Sequence, residues 1–377
     1  MVEVFDFADG LGPYKVIHVH EPSVDLKAVL VVDNVAKGPS IGGLRMAADV
    51  STDECFRLAR AMTLKNAAAG LPHGGGKAVL YGDPKIPKAD KARLIRALAQ
   101  ALRNEDSYIF APDMGTDEEC MAWIKDEIGH VVALPREVGG IPLDEIGATG
   151  WGLRHVTEIA LEFCGFSLKG ATFVVQGFGA VGKHVARFLA ERGAVLVGAA
   201  DSRGAIANRK GLDVASLIEI KEAGGALTDY PDADRLERDG VIDIECDIWI
   251  PAARPDVIHE GNVDRLKTRL VIEGANIPFT EGAEKILASR GVLCVPDFIA
   301  NAGGVICAAM EYRGASEANA FAAIEEKLKR NTRLVLEASK TRNILPRQAS
   351  MELALERIRK AMEFRRYSLF STAPGFI

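Results

Sequence analysis

Two lysines, Lys65 and Lys77, bracket the run Asn66-Ala-Ala-Ala-Gly70-Leu-Pro-His73-Gly74-Gly-Gly76. A Gly-rich turn between two cations suits a pocket for a small anionic substrate. One ammonium can hold a carboxylate; the other, beside backbone that lacks side chains, can be desolvated and serve as a general base. Two surface lysines on a turn would show the same spacing. The segment is not a phosphate loop, because Leu71 stands five residues before Gly76 and Ala78 follows Lys77. His73 adjoins the glycines, and its expected place is a loop with a solvated ring. A second pattern is Gly177-Phe178-Gly179-Ala180-Val181-Gly182. The first glycine permits a tight turn, the second a close approach to a pyrophosphate, and the third close packing of helix on strand. An acidic residue about 20 positions on is expected to meet the adenosine ribose, and Asp201, followed by Ser202, stands 19 residues after Gly182. A Gly-rich turn in a flavodoxin-like sheet without nucleotide is the competing reading. Asp201 favours NAD, since a carboxylate repels a 2′-phosphate; Arg203 could reach that phosphate, which leaves NADP open.

These residues need elements to hold them. Lys27–Asp33 reads as a strand. Ser51-Thr-Asp-Glu54 is a capping box opening a helix that runs to Ala69 and stops at Gly70, which puts Lys65 near its last turn. Glycines at 139, 140, 147 and 150 mark a domain boundary. Beyond it, strand Ala171–Gln176, helix Ala180–Arg192 and strand Ala194–Ala200 alternate, and short apolar strands follow at Ile248–Ile250, Leu270–Ile272 and Val292–Val295. Such alternation implies βαβ units and a parallel sheet. Two amphipathic helices, Ser316–Ser339 and Arg347–Phe364, close the chain, separated at Leu345-Pro346.

A chain of 377 residues fits two domains of about 100–200 residues each. With 48% hydrophobic and 26% charged residues it resembles an ordinary globular protein. The net charge of −6 without long basic blocks argues against nucleic acid and against a polybasic membrane adaptor. The basic stretch Arg357, Arg359, Lys360, Arg365, Arg366 is interleaved with Glu356 and Glu363 and reads as a solvated helix face. Six scattered cysteines form no C-x-x-C pair and have no histidine at ligand spacing, so no metal site is expected and they read as small core residues in a reducing compartment. His18 and His20 alternate on a strand without a third ligand. Without a secretory leader pattern or an apolar run of about 20 residues, the expected location is the cytoplasm, away from the membrane.

The ordered set Gly42-Gly43-Leu44-Arg45, Lys65 to Lys77, Ala111-Pro-Asp113-Met-Gly115-Thr, Gly147-Ala-Thr149-Gly-Trp151-Gly, Gln176-Gly-Phe-Gly179, Pro251-Ala-Ala253, Glu273-Gly-Ala-Asn276 and Asn301-Ala-Gly-Gly304 resembles the Glu/Leu/Phe/Val dehydrogenase family over nearly the whole chain. The resemblance implies an α/β fold of two domains with a cleft between them. One is a substrate and oligomerisation domain at 1–147, rejoined by 341–377; the other is a Rossmann NAD-binding domain at 148–340. It implies reversible oxidative deamination of an L-amino acid to a 2-oxo acid and ammonia, with domain closure excluding water, in a homo-oligomer that is a hexamer or octamer. On that footing Lys65 binds the substrate α-carboxylate, Lys77 activates water, and Asp113 shuttles protons at the substrate nitrogen. Thr149, Asn276 and Asn301 resemble contacts to the nicotinamide half. Met114 and Trp151 read as packing or pocket walls.

Glutamate dehydrogenases in the family place a lysine immediately before Gly-Gly-x-Arg and a serine seven residues after the asparagine of Asn-Ala-Gly-Gly. Here those positions are Ile41 and Ala308. A γ-carboxylate buried there without a partner costs several kcal/mol, so the pocket reads as apolar, for leucine, valine or phenylalanine. Glutamate is the alternative, since Ala200–Gly204 and Glu273–Asn276 look closer to glutamate dehydrogenases. Outside catalysis, the alternatives are an inactive NAD-binding regulator, which has no reason to keep Lys65, Lys77 and Asp113 together, and a scaffolding oligomer, which predicts no NAD binding.

Overall fold

The first sheet begins with β1 (Lys15–Glu21), β2 (Leu26–Asn34) and β3 (Ser40–Ala47), and the computed structural model of the chain describes residues 4–364. Helix α1 (Thr52–Ala68) leads into β4 (Gly74–Tyr81), followed by α2 (Lys88–Ala101), β5 (Tyr108–Pro112) and α3 (Glu118–Glu127). The strand order is β1-β2-β4-β3-β5, with β3 parallel to both β4 and β5 and β2 antiparallel to β4. Helix α1 starts at the expected N-cap, where the Ser51 side chain accepts from the Glu54 N–H. Its Cys55, Phe56 and Ala59 pack with Val29, Val31 and Val79 on one face of the sheet. The opposite face buries Leu30, Leu44, Ala78 and Leu80 under Ile95 and Leu98 of α2 and Met121 and Ile124 of α3.

The glycines at 74–76, expected as a turn, are instead the first residues of β4 in the sheet interior. The reason is close approach of α1: a Cβ on Gly75 would lie 1.9 Å from the Thr63 backbone nitrogen. His73, expected to be solvated, is only 3% exposed, with Nδ1 3.1 Å from the Pro39 carbonyl and its ring edge-on to Tyr312. Burial pushes its imidazole down to about 4.

In the second unit α4 (Ala148–Cys164) precedes β6 (Thr172–Gln176), α5 (Ala180–Ala190), β7 (Val195–Ala200), β8 (Ala205–Ala207), α6 (Val214–Glu222) and β9 (Asp234–Leu236). Then come β10 (Ile248–Pro251), β11 (Leu270–Ile272), α7 (Glu281–Ser289), β12 (Leu293–Val295) and α8 (Asp297–Ala300). The order β12-β11-β10-β6-β7-β8-β9 is parallel from β12 to β7, and β8 and β9 add antiparallel strands at one edge. Phe173 to Val175 and Ile248 to Ile250 are all 0% exposed, as strands covered on both faces require. The chain order reverses between β6 and β10, the switch point at which doubly wound sheets bind ligands beyond the strand carboxyl ends.

The chain closes with α9 (Gly303–Tyr312), α10 (Glu317–Arg342) and α11 (Pro346–Phe364). By contacts, one unit runs to Leu143 and takes in Val305–Ala320 and the described residues from Met351 on; the other holds Asp144–Gly304 and Phe321–Ser350. These contact units differ from the expected bounds in two places: 305–320 falls with the first unit, where Glu311 of α9 accepts hydrogen bonds from the Ala133 and Leu134 N–H groups, and 341–350 falls with the second. Arg357, read as solvated, donates to the Ala67 and Ala68 carbonyls at the end of α1; Arg359 and Lys360 are exposed, and Arg365 and Arg366 lie outside the described residues. Five of the six cysteines are buried and all six are free. Among the described residues no helix is long and apolar enough to cross a membrane.

Gly75→Ala should therefore lower the melting temperature by roughly 5–10 °C, because its Cβ meets backbone and α1 must move. Thermal unfolding followed by circular dichroism checks this, and an unchanged melting temperature would contradict it.

Candidate active site

In the first unit, period-2 alternation and the register of three adjacent strands assemble a cluster. Ile41, Gly43 and Arg45 share one face of β3, and the pairings Ile41 with Gly75 and with Ile109 put Lys77 of β4 and Asp113, just past β5, on that same face. The Lys77 ammonium forms an ion pair with Asp113 Oδ2; the two side chains are 7% and 22% exposed. Arg45 Nε lies 3.4 Å from the same oxygen, and its guanidinium also pairs with Glu54 of α1. Asp113 Oδ1 accepts from the Met114 N–H at 2.7 Å. Burial alone would raise the Asp113 carboxyl, but the charges of Lys77 and Arg45 and these hydrogen bonds hold it below its ordinary value of 3.8.

Gly43 leaves room for this pair, since a Cβ there would stand 2.7 Å from Asp113 Cβ and 3.1 Å from Lys77 Nζ. The Tyr108 hydroxyl donates to the Gly42 carbonyl at 2.7 Å and pins β3. Lys65 sits half-buried in the last turn of α1. The adjacent Asn66 amide donates to the Gly74 and Ile41 carbonyls at 2.7 and 3.3 Å and ties that turn to β4 and β3. Ile41 is 1% exposed and Ala308, on α9, is 3% exposed. Arg45, Tyr108 and Asn66 were not singled out from sequence. Arg45 carried a signal, two positions after Gly43 and so on the same strand face; Tyr108 and Asn66 act through long-range pairings that no local spacing encodes.

In the second unit, the Gly177 and Phe178 N–H groups both donate to the Ala200 carbonyl at 2.9 Å. Gly177 has φ +103°, and a Cβ there would lie 2.6 Å from Ala253 Cβ, after β10 at the switch point. Phe178 is buried. No atom approaches within 4 Å of a Cβ built on Gly179, which opens onto the first turn of α5 with Ala180 and Val181, while Gly182 packs under the Gly177 carbonyl. That cradle, with N–H groups at a helix start, fits a dinucleotide pyrophosphate.

Asp201 follows β7 but is already engaged. Oδ2 takes Lys221 Nζ at 2.8 Å and the Leu227 N–H at 3.1 Å, and Oδ1 takes the Arg203 N–H at 2.8 Å. Ser202 and Arg203 beside it are exposed. The remaining candidates converge elsewhere in the same unit. Asn301 Nδ2 donates to Asn276 Oδ1 at 2.9 Å, and Thr149 in the first turn of α4 lies against Gly303. Asn301 Oδ1 is a buried acceptor without a partner among the described residues, as a site awaiting an amide donor would have. Trp151 packs edge-on against His155, Phe188 and Phe321, whereas Met114 is 58% exposed. His18 and His20 are exposed on β1.

Two family descriptions match this chain in tandem: "Glu/Leu/Phe/Val dehydrogenase, dimerisation domain" over residues 13–130 and "Glutamate/Leucine/Phenylalanine/Valine dehydrogenase" over residues 139–366. The chain belongs to this family. It is an NAD(P)-dependent amino-acid dehydrogenase with the family's two-domain α/β fold. The chain is 36% identical to a glutamate dehydrogenase of Aeropyrum pernix over 356 residues, 88% of this chain and 85% of that one. It is also 36% identical to an NADP-specific glutamate dehydrogenase of Saccharolobus shibatae over 293 residues, 74% of this chain and 69% of that one. Among solved structures it is similar to the hetero-hexameric glutamate dehydrogenase of Thermus thermophilus in its leucine-bound form, with TM-score 0.84, 30% identity, and coverage of 94% and 90% of the two chains.

Because the folded-state Asp113 carboxyl is held low, its contribution to stability is complete above 3.8 and is lost as pH falls through the lower folded value. Asp113→Asn should remove the part of the fall in melting temperature that wild type shows below about pH 4. At neutral pH it should cost about 3 kcal/mol, since Lys77 is left buried without its counter-charge. A profile that superimposes on wild type would contradict both expectations.

Proposed function

We propose that this dehydrogenase oxidises L-amino acids with apolar side chains through Lys65, Lys77 and Asp113, taking NAD or NADP. The observation that carries the catalytic part is the buried Lys77–Asp113 ion pair on one sheet face, in a cluster built of glycine backbone. Lys65 holds the α-carboxylate, and Asp113, fixed by Lys77, Arg45 and the Met114 N–H, relays the proton lost from the substrate ammonium. The amine lone pair then assists loss of hydride from Cα, and the bound dinucleotide supplies the hydride acceptor. Lys77 orients and activates the water that attacks the resulting iminium carbon and steadies the carbinolamine until ammonia leaves. Gly177 to Gly182 and the start of α5 would hold the pyrophosphate, and Thr149, Asn276 and Asn301 the nicotinamide half.

Ile41 and Ala308 support the apolar side chain: both are buried, and neither offers a charge or a donor to a γ-carboxylate. Glutamate is the second reading, supported by the names of the relatives at 36% identity. For the coenzyme, the Asp201 carboxylate is engaged by Lys221, whose ammonium together with exposed Ser202 and Arg203 gives a 2′-phosphate favourable partners. We infer use of both dinucleotides and a homo-oligomer; the dimerisation-domain match supports self-association, and the hetero-hexameric relative supports assembly in general. The free cysteines support a reducing, cytoplasmic setting.

Turnover measured by the ultraviolet absorbance of the reduced nicotinamide, with leucine, valine, phenylalanine and glutamate each offered NAD and NADP, tests this. An apolar amino acid should be fastest and both coenzymes should support it. The Ile41→Lys, Ala308→Ser double variant should move kcat/KM toward glutamate by about 10²-fold or more. Wild-type turnover of glutamate alone would overturn the apolar reading and leave the reaction class intact.

A further inference from the structure

Arg347, at the start of α11, is surrounded by three buried carboxylates from three other elements. Its Nη1 donates to Asp297 Oδ1 at 2.9 Å, its Nη2 to Glu273 Oε2 at 2.8 Å, and its Nε to Glu284 Oε1 at 2.6 Å. Glu273 is wholly buried at the end of β11, Asp297 opens α8, and Glu284 lies on α7. Two of these carboxylates extend the network toward the Asn276–Asn301 pair. Glu273 Oε2 accepts from the Asp297 N–H at 3.1 Å, Asp297 Oδ2 accepts from the Ile277 N–H at 2.8 Å, and the Asp297 carbonyl accepts from the Asn301 N–H at 2.8 Å.

Ile277 marks where this network is needed. Its φ of +49° lies in the left-handed region, where a β-branched side chain is strained, and it is 54% exposed, so side-chain packing does not hold it there. Its N–H is held by Asp297 and its carbonyl by the Asp256 N–H at 2.9 Å. The strained residue directly follows Asn276, so that turn sets where the Asn276 amide points. Burial pushes the Glu273 carboxyl well up while the Arg347 charge opposes it.

We propose that Arg347 is a positioning residue for the nicotinamide half of the coenzyme site: through Glu273 and Asp297 it clamps the strained Gly274–Ile277 turn and the start of α8, and so fixes the Asn276–Asn301 pair. The proposal rests on the dinucleotide reading of those two asparagines. It predicts a selective defect, because the adenine half of the site is built from β6, α5 and the segment after β7 and shares no residue with the network.

Titration calorimetry of the full-length protein with NADH and with ADP-ribose, which lacks the nicotinamide, separates the possibilities. Arg347→Met should weaken NADH about tenfold and leave ADP-ribose within about twofold, with Arg347→Lys recovering part of the loss. Ile277→Gly, which adopts the positive φ without strain, should recover part of the NADH affinity when added to Arg347→Met, again sparing ADP-ribose. If Arg347→Met fails to fold, Arg347→Lys decides alone, with NADH weakened about threefold and ADP-ribose spared. Unchanged NADH affinity, or equal loss of both ligands, would overturn the proposal, the second outcome marking a merely structural role. Wild-type protein that binds neither ligand would remove the dinucleotide reading and this inference with it, whereas ADP-ribose binding with NADH unaffected by the variants removes only the inference.

Discussion

A lysine ammonium buried in a β-sheet must be paired, because its desolvation exceeds what any nearby apolar contact returns. The placement of Lys77 on β4 constrains much of the first unit accordingly. Asp113 has to leave β5 on the same face, Gly43 has to lack a side chain between them, and Arg45 has to stand one step further along β3. The glycines of β4 let α1 press onto that face, and α1 in turn carries Lys65 and Asn66 to its edge. Sheet register, glycine content and charge pairing are thus solutions to one problem, and the solution leaves a cationic, hydrogen-bonded corner suited to an amino acid.

The second unit follows a different economy. Its parallel strands are apolar on both faces, and its polar groups collect beyond the carboxyl ends of β6, β7, β11 and β12, where backbone N–H groups and short side chains are not used up by the sheet. There the glycine turn remains open above Gly179, whereas Asp201 is tied to Lys221 and two amides. A carboxylate so engaged repels a 2′-phosphate less than a free one would, and the proposed use of both dinucleotides rests on these neighbours of Asp201.

Much of this was legible in the sequence because it is local. The N-cap at Ser51, the strand–turn–helix around Gly177 and the apolar strands at 248, 270 and 292 are each set by residues within a few positions of one another, whereas the Glu54 side chain leaves the expected capping box to pair with Arg45. What was misread depends on distant chain. Gly74–Gly76 look like a turn until the helix that needs the space is known, and His73 looks solvated until α9 brings Tyr312 against it. Residues 305–320 change units because of the Glu311 carboxylate on the loop at Ala133 and Leu134. The pairing of Lys77 with Asp113, 36 residues apart, came from resemblance alone and gained its physical reason only from the register of β3, β4 and β5.

On the proposed mechanism the Lys77–Asp113 pair performs the chemistry of deamination, and the coenzyme is bound by other residues. Lys77→Ala, assayed with the best amino-acid substrate alongside NADH binding, addresses it most directly. The variant's kcat should fall at least about 10²-fold with NADH affinity kept within about twofold, and turnover retained near the wild-type rate would contradict the role given to Lys77.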